Sequence, residues 1–485
     1  MQLATSMQSG ALDNIALKEY GLDGRTLMDN ATTAFCEEFK KHFDKSKKVC
    51  IFCGRGKNGG DGFYIAKKLR EDGYAINVVP CFSTEDKLNP LTKDALSQAV
   101  SFGLGISDID DVKDFDICID AILGTGVVGE ISGTYYKAIE KINSQNWYVI
   151  SVDCQSGVNC DNGRVSSSCV KANETYTMAI NKVGMNIYPG KEYSGKITVI
   201  DIGIPANCYS LLNLNISLVD NKMAKTLYPK RHENSHKGTY GKVAVFGGSE
   251  GMCGSVVMAS EAVLSSGAGL SYACVNDDIF NIVSGKVTEV IVKHDKDYKE
   301  IYDDVTSLVI GPGYISNSKI SHIMKLAQRG SKAIVVDAEG LNYINNKDRK
   351  CPIVATPHPK EFSKMIGLGV EEINQNRIYL SSKYAKENNV VLVLKGARTV
   401  IASPSGEVRI NKSGTNAMAT AGSGDVLSGL IAGFIAQGLS PFDAATLGAY
   451  IHGLAGEIGA KYLSVYSLKA TDILNFIGKA FLYDE

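Results

Sequence analysis

No stretch of this sequence approaches the ~18–20 uninterrupted apolar residues that a membrane-spanning helix requires. The most apolar helical run, Leu427 to Leu439, is interrupted by Ser428, Gly429, Gly433, Gln437 and Gly438. The N-terminus, MQLATSMQSGALDNIALKEY, has no basic leader and no apolar core of signal-peptide length, so export is not expected. A charge bias is missing as well: 51 Lys and Arg face 52 Asp and Glu, for a formal net charge of -1. Nucleic-acid and membrane-surface binders are usually basic, so neither partner is expected. Zinc spacing is also absent. Cys50 and Cys53 flank Ile51 and Phe52 in an apolar strand-like run, with no second Cys or His pair to complete a site. Twelve cysteines are sparse for a chain this long, and Cys50, Cys118 and Cys274 lie inside apolar runs. They read as buried free thiols of a cytoplasmic protein, not as a disulfide framework.

What is present is length and periodicity. At ~100–200 residues per domain, 485 residues predict two or three domains. The first half alternates strands (Val49–Cys53, Ala75–Phe82, Asp116–Leu123, Tyr148–Asp153, Lys196–Ile202) with helices (Phe63–Asp72, Pro90–Phe102, Tyr135–Ile142). Continuous apolar strands separated by helices predict a parallel sheet covered on both faces. The stretch Pro205–Lys230 has no strong period, and we place the domain boundary near residue 220. The alternation then restarts with strands at Lys242–Phe246, Ser271–Val275, Leu308–Ile310, Ala333–Asp337, Ile353–Ala355 and Val390–Leu394. A helix at Val256–Ser265 and two long ones, Asp425–Gln437 and Pro441–Leu463, complete the second half. The fold expected is α/β in two domains, 1–220 and 221–485.

Three strand ends of the first half carry polar or glycine-rich loops: Cys53-Gly-Arg-Gly-Lys-Asn-Gly-Gly-Asp-Gly62, Asp120-Ala-Ile-Leu-Gly-Thr-Gly126 and Asp153-Cys-Gln-Ser-Gly157. Such ends share one crevice in a doubly wound sheet. Glycines bring backbone N–H groups up to an anion, and the following helix adds its positive end. The first loop is neither a Walker loop nor G-x-G-x-x-G. Asn58, Asp120 and Ser156 offer hard oxygens suited to a potassium-type cation; the bland alternative for Asp120 and Asp153 is a helix or turn cap. In the second half, Gly422-Ser-Gly-Asp425 opens a strongly apolar helix. Its free N–H groups form an anion hole, and Asp425 is placed either to accept a proton from a hydroxyl nucleophile or simply to cap the helix. His358, between two prolines at a strand end, faces the crevice or orders its loop. His452, in an apolar helix, reads as a core histidine.

The loops of roughly residues 8–205 resemble the NAD(P)H-hydrate epimerases, whose patterns are close to GxGNNGGDG, DALLGTG and VDxPSG. The fold this implies is a Rossmann-like three-layer sandwich. By position, the resemblance implies substrate contacts at Asn58, Gly59, Gly60, Asp61, at Gly124, Thr125, Gly126, Val127, Val128, Gly129, and at Asp153. It implies potassium ligands at Asn58, Asp120 and Ser156. Lys57, Cys154 and Gln155 depart from the pattern. Epimerisation at C6 of the hydrate needs an acid and a base; Asp153 is the first candidate, and Lys182 is either a second or a solvated surface lysine.

Over about residues 225–480, a set of motifs resembles the ribokinase-like ADP/ATP-dependent NAD(P)H-hydrate dehydratases. They are His236-Lys-Gly, Phe246-Gly-Gly-Ser249, Ser266-Gly-Ala-Gly-Leu270, Gly311-Pro-Gly313, Thr356-Pro-His-Pro-Lys-Glu361, Lys395-Gly-Ala-Arg-Thr399, Gly422-Ser-Gly-Asp425 and Tyr450-Ile-His-Gly-Leu-Ala-Gly456. The resemblance implies nucleotide contacts at Lys395, Gly396, Ala397, Arg398, Thr399 and Gly424, and hydrate contacts at Gly313, His358 and Asp425. Thr415-Asn416-Ala417-Met418 departs from the usual GNPGM-like stretch. Together the two resemblances imply a repair enzyme for NADHX and NADPHX. It would use ADP as phosphoryl donor (ATP being possible) with magnesium, hold potassium in its first domain, and assemble as a homo-oligomer. The rival reading is a ribokinase-like small-molecule kinase with a non-catalytic N-terminal binding domain.

Overall fold

The computed structural model describes residues 1–83, 85–315, 318–345 and 349–483. They divide into two compact units, Gln2–Ile216 and Ser217–Glu485 joined by Met1. The division falls just before the expected boundary at 220, because Ile216–Val219 is a strand whose Val219 belongs to the second unit's core. The stretch read as aperiodic, Pro205–Lys230, holds two short helices, Ala206–Ser210 and Asn221–Thr226, on either side of that strand. Elements of four to six residues are too short to show a period.

In the first unit seven strands form one parallel sheet. Their spatial order is Gly105–Ile106, Ala75–Pro80, Lys48–Cys53, Ile117–Ala121, Tyr148–Val152, Glu174–Met178 and Lys196–Ile200. Lys48–Cys53 and Ile117–Ala121 are buried almost throughout, which is why they read as continuous apolar runs. Chain direction across the sheet reverses between these two strands, so the loops after Cys53 and Ala121 diverge and open a crevice at the carboxyl ends. Glu174–Met178 was not anticipated from sequence. Its polar residues are buried and bonded instead of exposed: Thr175 Oγ1 donates to the Ser194 carbonyl at 2.8 Å, and the Tyr148 hydroxyl donates to Glu174 Oε1 at 2.8 Å. Ahead of the sheet run helices Ser6–Tyr20, started by a Thr5–Gln8 capping box, and Gly24–His42, capped by Asp23.

The second unit's sheet runs, in spatial order, Ile291–His294, Leu270–Val275, Lys242–Phe246, Ser307–Ile310, Ala333–Val336, Ile353–Ala355, Val391–Leu394, Val400–Ala402, Val408–Asn411 and Ile216–Val219. It is parallel from Ile291–His294 to Val391–Leu394 and antiparallel through the next two pairings. Lys395–Thr399 is therefore a hairpin loop. Helix Ser423–Ala436 is buried from Val426 to Ala436, which explains its apolar composition all round. Pro441–Leu463 has the bounds expected from sequence.

Candidate functional sites

A cleft of about 500 Å³ opens at the carboxyl end of the first sheet. Asn58, Asp61, Gly124, Thr125, Gly126, Asp153 and Lys182 line it. Gly59 and Gly60 do not; they are packed beneath the loop. A Cβ on Gly59 would lie 1.7 Å from the Gly54 carbonyl oxygen, so only glycine lets the turn close this tightly. Val127, Val128 and Gly129 also fall outside the cleft lining. Val127 is buried, its carbonyl accepting from Asn159 Nδ2 at 3.0 Å, and Val128 is 87% exposed.

Asp153 occupies a left-handed conformation, φ 65°, directly after its strand. Its Oδ1 accepts from the Met178 backbone N–H at 3.0 Å and from the Lys182 ammonium. Lys182 is 0% exposed. Its Nζ also donates to Thr177 Oγ1 at 2.9 Å and to the Met178 carbonyl at 3.0 Å. The surface-lysine alternative for Lys182 is thus corrected: the short parallel pairing of Leu3 and Ala4 with Asn181 and Lys182 turns the side chain inward. Asp13, which the sequence did not single out, also lines the cleft. Burial, reinforced by Asp153, raises its pKa, and burial, Asp153 and Asp13 raise that of Asp61.

Below the cleft, Asp120 is buried among neutral donors. Oδ1 accepts from Ser156 Oγ at 2.5 Å and Ile122 N–H at 3.2 Å; Oδ2 accepts from Ser151 Oγ and Ser156 N–H, both at 2.9 Å. Burial raises its pKa against these bonds. Asp120 therefore caps a turn and also brings Ser156 to itself. Asn58 lies beside Gly124, and its buried Nδ2 has no hydrogen-bond partner. Gln155, standing where the epimerase pattern has proline, is buried with Nε2 donating to Thr175 Oγ1 and Oε1 accepting from Ser194 Oγ.

In the second unit, backbone bonds stitch successive strand ends together. Gly311 N–H donates to the Phe246 carbonyl (3.0 Å), Asp337 to Ile310 (3.2 Å), Thr356 to Val336 (3.1 Å) and Lys395 to Pro357 (2.9 Å). The result is a ledge along the carboxyl end of the sheet. Ser249 Oγ donates to the Gly313 carbonyl at 2.7 Å, joining the first two loops. Lys395 Nζ sits 2.8 Å from Asp337 Oδ1 and 4.0 Å from Glu361 Oε2. Burial works against this ammonium, but Asp337 and Glu361 outweigh it and hold its pKa above the ordinary value. Ser428 Oγ donates to Asp337 Oδ2 at 2.7 Å, so both Asp337 oxygens are engaged. Asp337 and Glu361 went unremarked as site residues in the sequence. A strand-end aspartate is a readable signal; its lysine partner far along the chain is not.

Gly422, at φ 87°, starts helix Ser423–Ala436 two residues earlier than expected. A Cβ on Gly424 would approach Lys395 Nζ to 3.1 Å, so a bare backbone at this position leaves the ammonium room over the helix N-terminus. Asp425 is in the first turn. Burial, with Asp337 next, raises its pKa to about 6, against a bond from Ser255 and the charge of Lys395. A carboxylate of pKa near 6 is mostly ionised at neutral pH and still basic enough to take a proton from a hydroxyl. His358 caps helix Pro359–Ile366: its Nδ1 accepts from the Lys360 and Glu361 N–H groups, both at 3.1 Å. That bonding assigns the proton to Nε2, on a side chain 46% exposed. Gly396 and Ala397 form the exposed tip of the Lys395–Thr399 hairpin, and Arg398 takes a left-handed φ of 58°. His452 is buried against Ser423 Oγ at 3.2 Å, and burial lowers its pKa to about 4, as a core histidine requires.

Residues 243–479 match the family model of NAD(P)H-hydrate dehydratase, and residues 24–184 that of the YjeF-related protein N-terminus. Along 98% of its length the chain is similar to the bifunctional NAD(P)H-hydrate repair enzyme of Moorella thermoacetica, at 35% identity and covering 96% of that protein. The enzyme of the same name from Thermofilum pendens is 31% identical over 99% of this chain and 96% of its own. Among solved structures, the ADP/ATP-dependent NAD(P)H-hydrate dehydratase of Bacillus subtilis, co-crystallised with ATP and magnesium, is 27% identical. It matches 55% of this chain and 98% of its own with a TM-score of 0.52.

Proposed function

The chain belongs to the family of bifunctional NAD(P)H-hydrate repair enzymes, and from that premise we propose that residues 1–220 form its epimerase and residues 221–485 its dehydratase. The enzyme interconverts the R and S hydrates of NADH and NADPH and dehydrates the S form at the expense of ADP. The observation that carries the reading is Asp425, a carboxylate of pKa about 6 in the first turn of a buried helix whose free N–H groups form an anion hole.

Asp425 takes the proton of the C6 hydroxyl as that oxygen accepts the terminal phosphoryl group of the nucleotide. Lys395 and the N–H groups of Ser423, Gly424 and Asp425 bear on the charge of the transferring group. Phosphate then leaves from C6, driven by the N1 lone pair, and loss of the C5 proton restores the dihydropyridine. Gly313 and His358 Nε2–H border the hydrate, and Lys395–Thr399 borders the nucleotide. Glu361 would hold magnesium through its hard oxygens, which leaves Asp425 as the base. When bound, it neutralises charge on the phosphates. A mixture of hydrate and ADP should yield reduced nicotinamide and free phosphate; accumulation of a phosphorylated alcohol would instead favour the kinase reading.

In the first unit, Asp153 and Lys182 form the base and acid that return and assist the departing hydroxyl. Potassium would be held below them by Asn58, Asp120 and Ser156: Asp120 is a buried carboxylate offset only by neutral donors, with the Ser156 hydroxyl bonded to it and Asn58 beside Gly124 at the same strand ends. A buried anion of this kind gains from a cation that offsets its desolvation. Asp120→Ala should weaken epimerisation and its response to potassium together, leaving ADP-dependent dehydration untouched. Rate against potassium concentration checks this; an unchanged curve in the variant would reduce Asp120 to a turn cap.

A further inference from the structure

The epimerase chemistry makes no use of two thiols beside it. Cys154 follows Asp153 directly. Cys160 lies in the turn between Val158 and Val165, which pair as an isolated antiparallel bridge. The Cys160 thiol donates to Cys154 Sγ at 2.7 Å. The residues are 0% and 1% exposed, in a small cluster with Val158, Cys169 and Met185. We propose that Cys154 and Cys160 are an oxidation site, at which a peroxide closes a disulfide that ties the Asp153–Ser156 loop to the neighbouring turn. The effect on activity rests on the assignment of Asp153 to epimerisation; the crosslink does not.

Geometry favours this pair over the others. The two sulfurs are 2.7 Å apart, so a small shift brings them to the ~2.05 Å of an S–S bond. Cys154 sits in a bend just after its strand and Cys160 in a turn, so neither is held as a strand residue in the sheet. Cys50 and Cys118 are also neighbours, but as register partners in adjacent strands at the centre of the sheet. Strands lie on both sides of that pair, so their spacing is fixed. Of the twelve cysteines, only Cys253 is not buried.

The chemistry balances with hydrogen peroxide. One thiol attacks a peroxide oxygen and becomes a sulfenic acid, releasing one water. The second thiol attacks the sulfenyl sulfur, forming the S–S bond and releasing a second water. Both thiol hydrogens end in water, and the two electrons lost by the sulfurs reduce the peroxide. The hydrogen bond from Cys160, then burial, raises the Cys154 pKa well above the ordinary thiol value, so attack is slow in the closed structure. It proceeds when the turn held by the Asn159 N–H to Arg164 carbonyl bond (2.8 Å) and the Gly163 N–H to Asn159 carbonyl bond (2.9 Å) opens. Once formed, the disulfide restrains the residue next to Asp153, whose carboxylate must stay on Lys182.

The test treats the full chain, in a Cys253→Ser background, with hydrogen peroxide, blocks remaining thiols with an alkylating agent and maps unreduced peptides by mass. The expected result is a peptide pair joined through Cys154 and Cys160, lighter by two hydrogens, with slowed epimerisation that dithiothreitol restores. Dehydration of the S hydrate should not change. Cys160→Ser should keep basal epimerisation and lose both the crosslink and the sensitivity to peroxide. Alkylated Cys154 and Cys160 after treatment, or a crosslink through Cys169 or between Cys50 and Cys118, would overturn the site. A Cys154–Cys160 crosslink with full epimerisation would instead overturn the link to Asp153.

Discussion

Replacing Asp425 by Ala lowers ADP-dependent dehydration by roughly 10²–10⁴-fold, the usual worth of a positioned general base, and leaves epimerisation at the wild-type rate. The carboxylate stands in the first helical turn, half-buried, with Asp337 and Lys395 acting on it from neighbouring strand ends. Asp425→Asn should show the same loss. It preserves the shape and a polar contact to Ser255, so a similar fall in both variants separates proton transfer from packing. The pH dependence has a definite sign. The group is protonated and inactive below its pKa of about 6 and becomes the base above it. Dehydration should therefore rise with pH through about 6 on the acid side of the profile, and the Asn variant should lose that limb. A variant that keeps full nucleotide-dependent turnover would leave Asp425 as no more than the cap its position also suits.

Asp153→Asn should have the second large effect, a fall of about 10²–10⁴-fold in epimerisation with dehydration of the S form intact. The change also leaves the Lys182 ammonium buried without its carboxylate. Removing one partner of such a pair costs about 3–5 kcal/mol, so the first unit should melt earlier. The double variant Asp153→Asn/Lys182→Met resolves the two effects. It removes the orphaned charge, so it should recover stability while epimerisation stays low. If the double variant recovers epimerisation along with stability, the pair is a structural ion pair and the acid–base assignment is wrong.

Strand ends were the legible part of this sequence. Apolar runs such as Lys48–Cys53 and Ile117–Ala121 announce themselves because both faces are covered, and the polar loops that follow them lie at the crevice. Helix Ser423–Ala436 was legible for the same reason, being apolar all round. Glu174–Met178 was not, since its threonines are buried by bonds to the Ser194 carbonyl and from the Lys182 ammonium rather than by being apolar. Partners distant in sequence were also beyond reach. Nothing local says that Lys395 meets Asp337 or that Cys160 meets Cys154. Lys182 shows the limit most clearly, because a lysine is ordinarily exposed and only its place in the fold, beside Asp153, shows it to be buried.

The division of labour between the two sites is tested most directly by the recovery of nicotinamide absorbance from a mixture of R and S hydrates. With ADP, the wild-type chain should restore both epimers to NADH or NADPH. Without nucleotide, it should restore neither. Asp153→Asn with ADP should recover the S fraction at the wild-type rate and then stall, with the R fraction left behind. Recovery of both fractions by that variant at the wild-type rate, or recovery without nucleotide, would contradict the account.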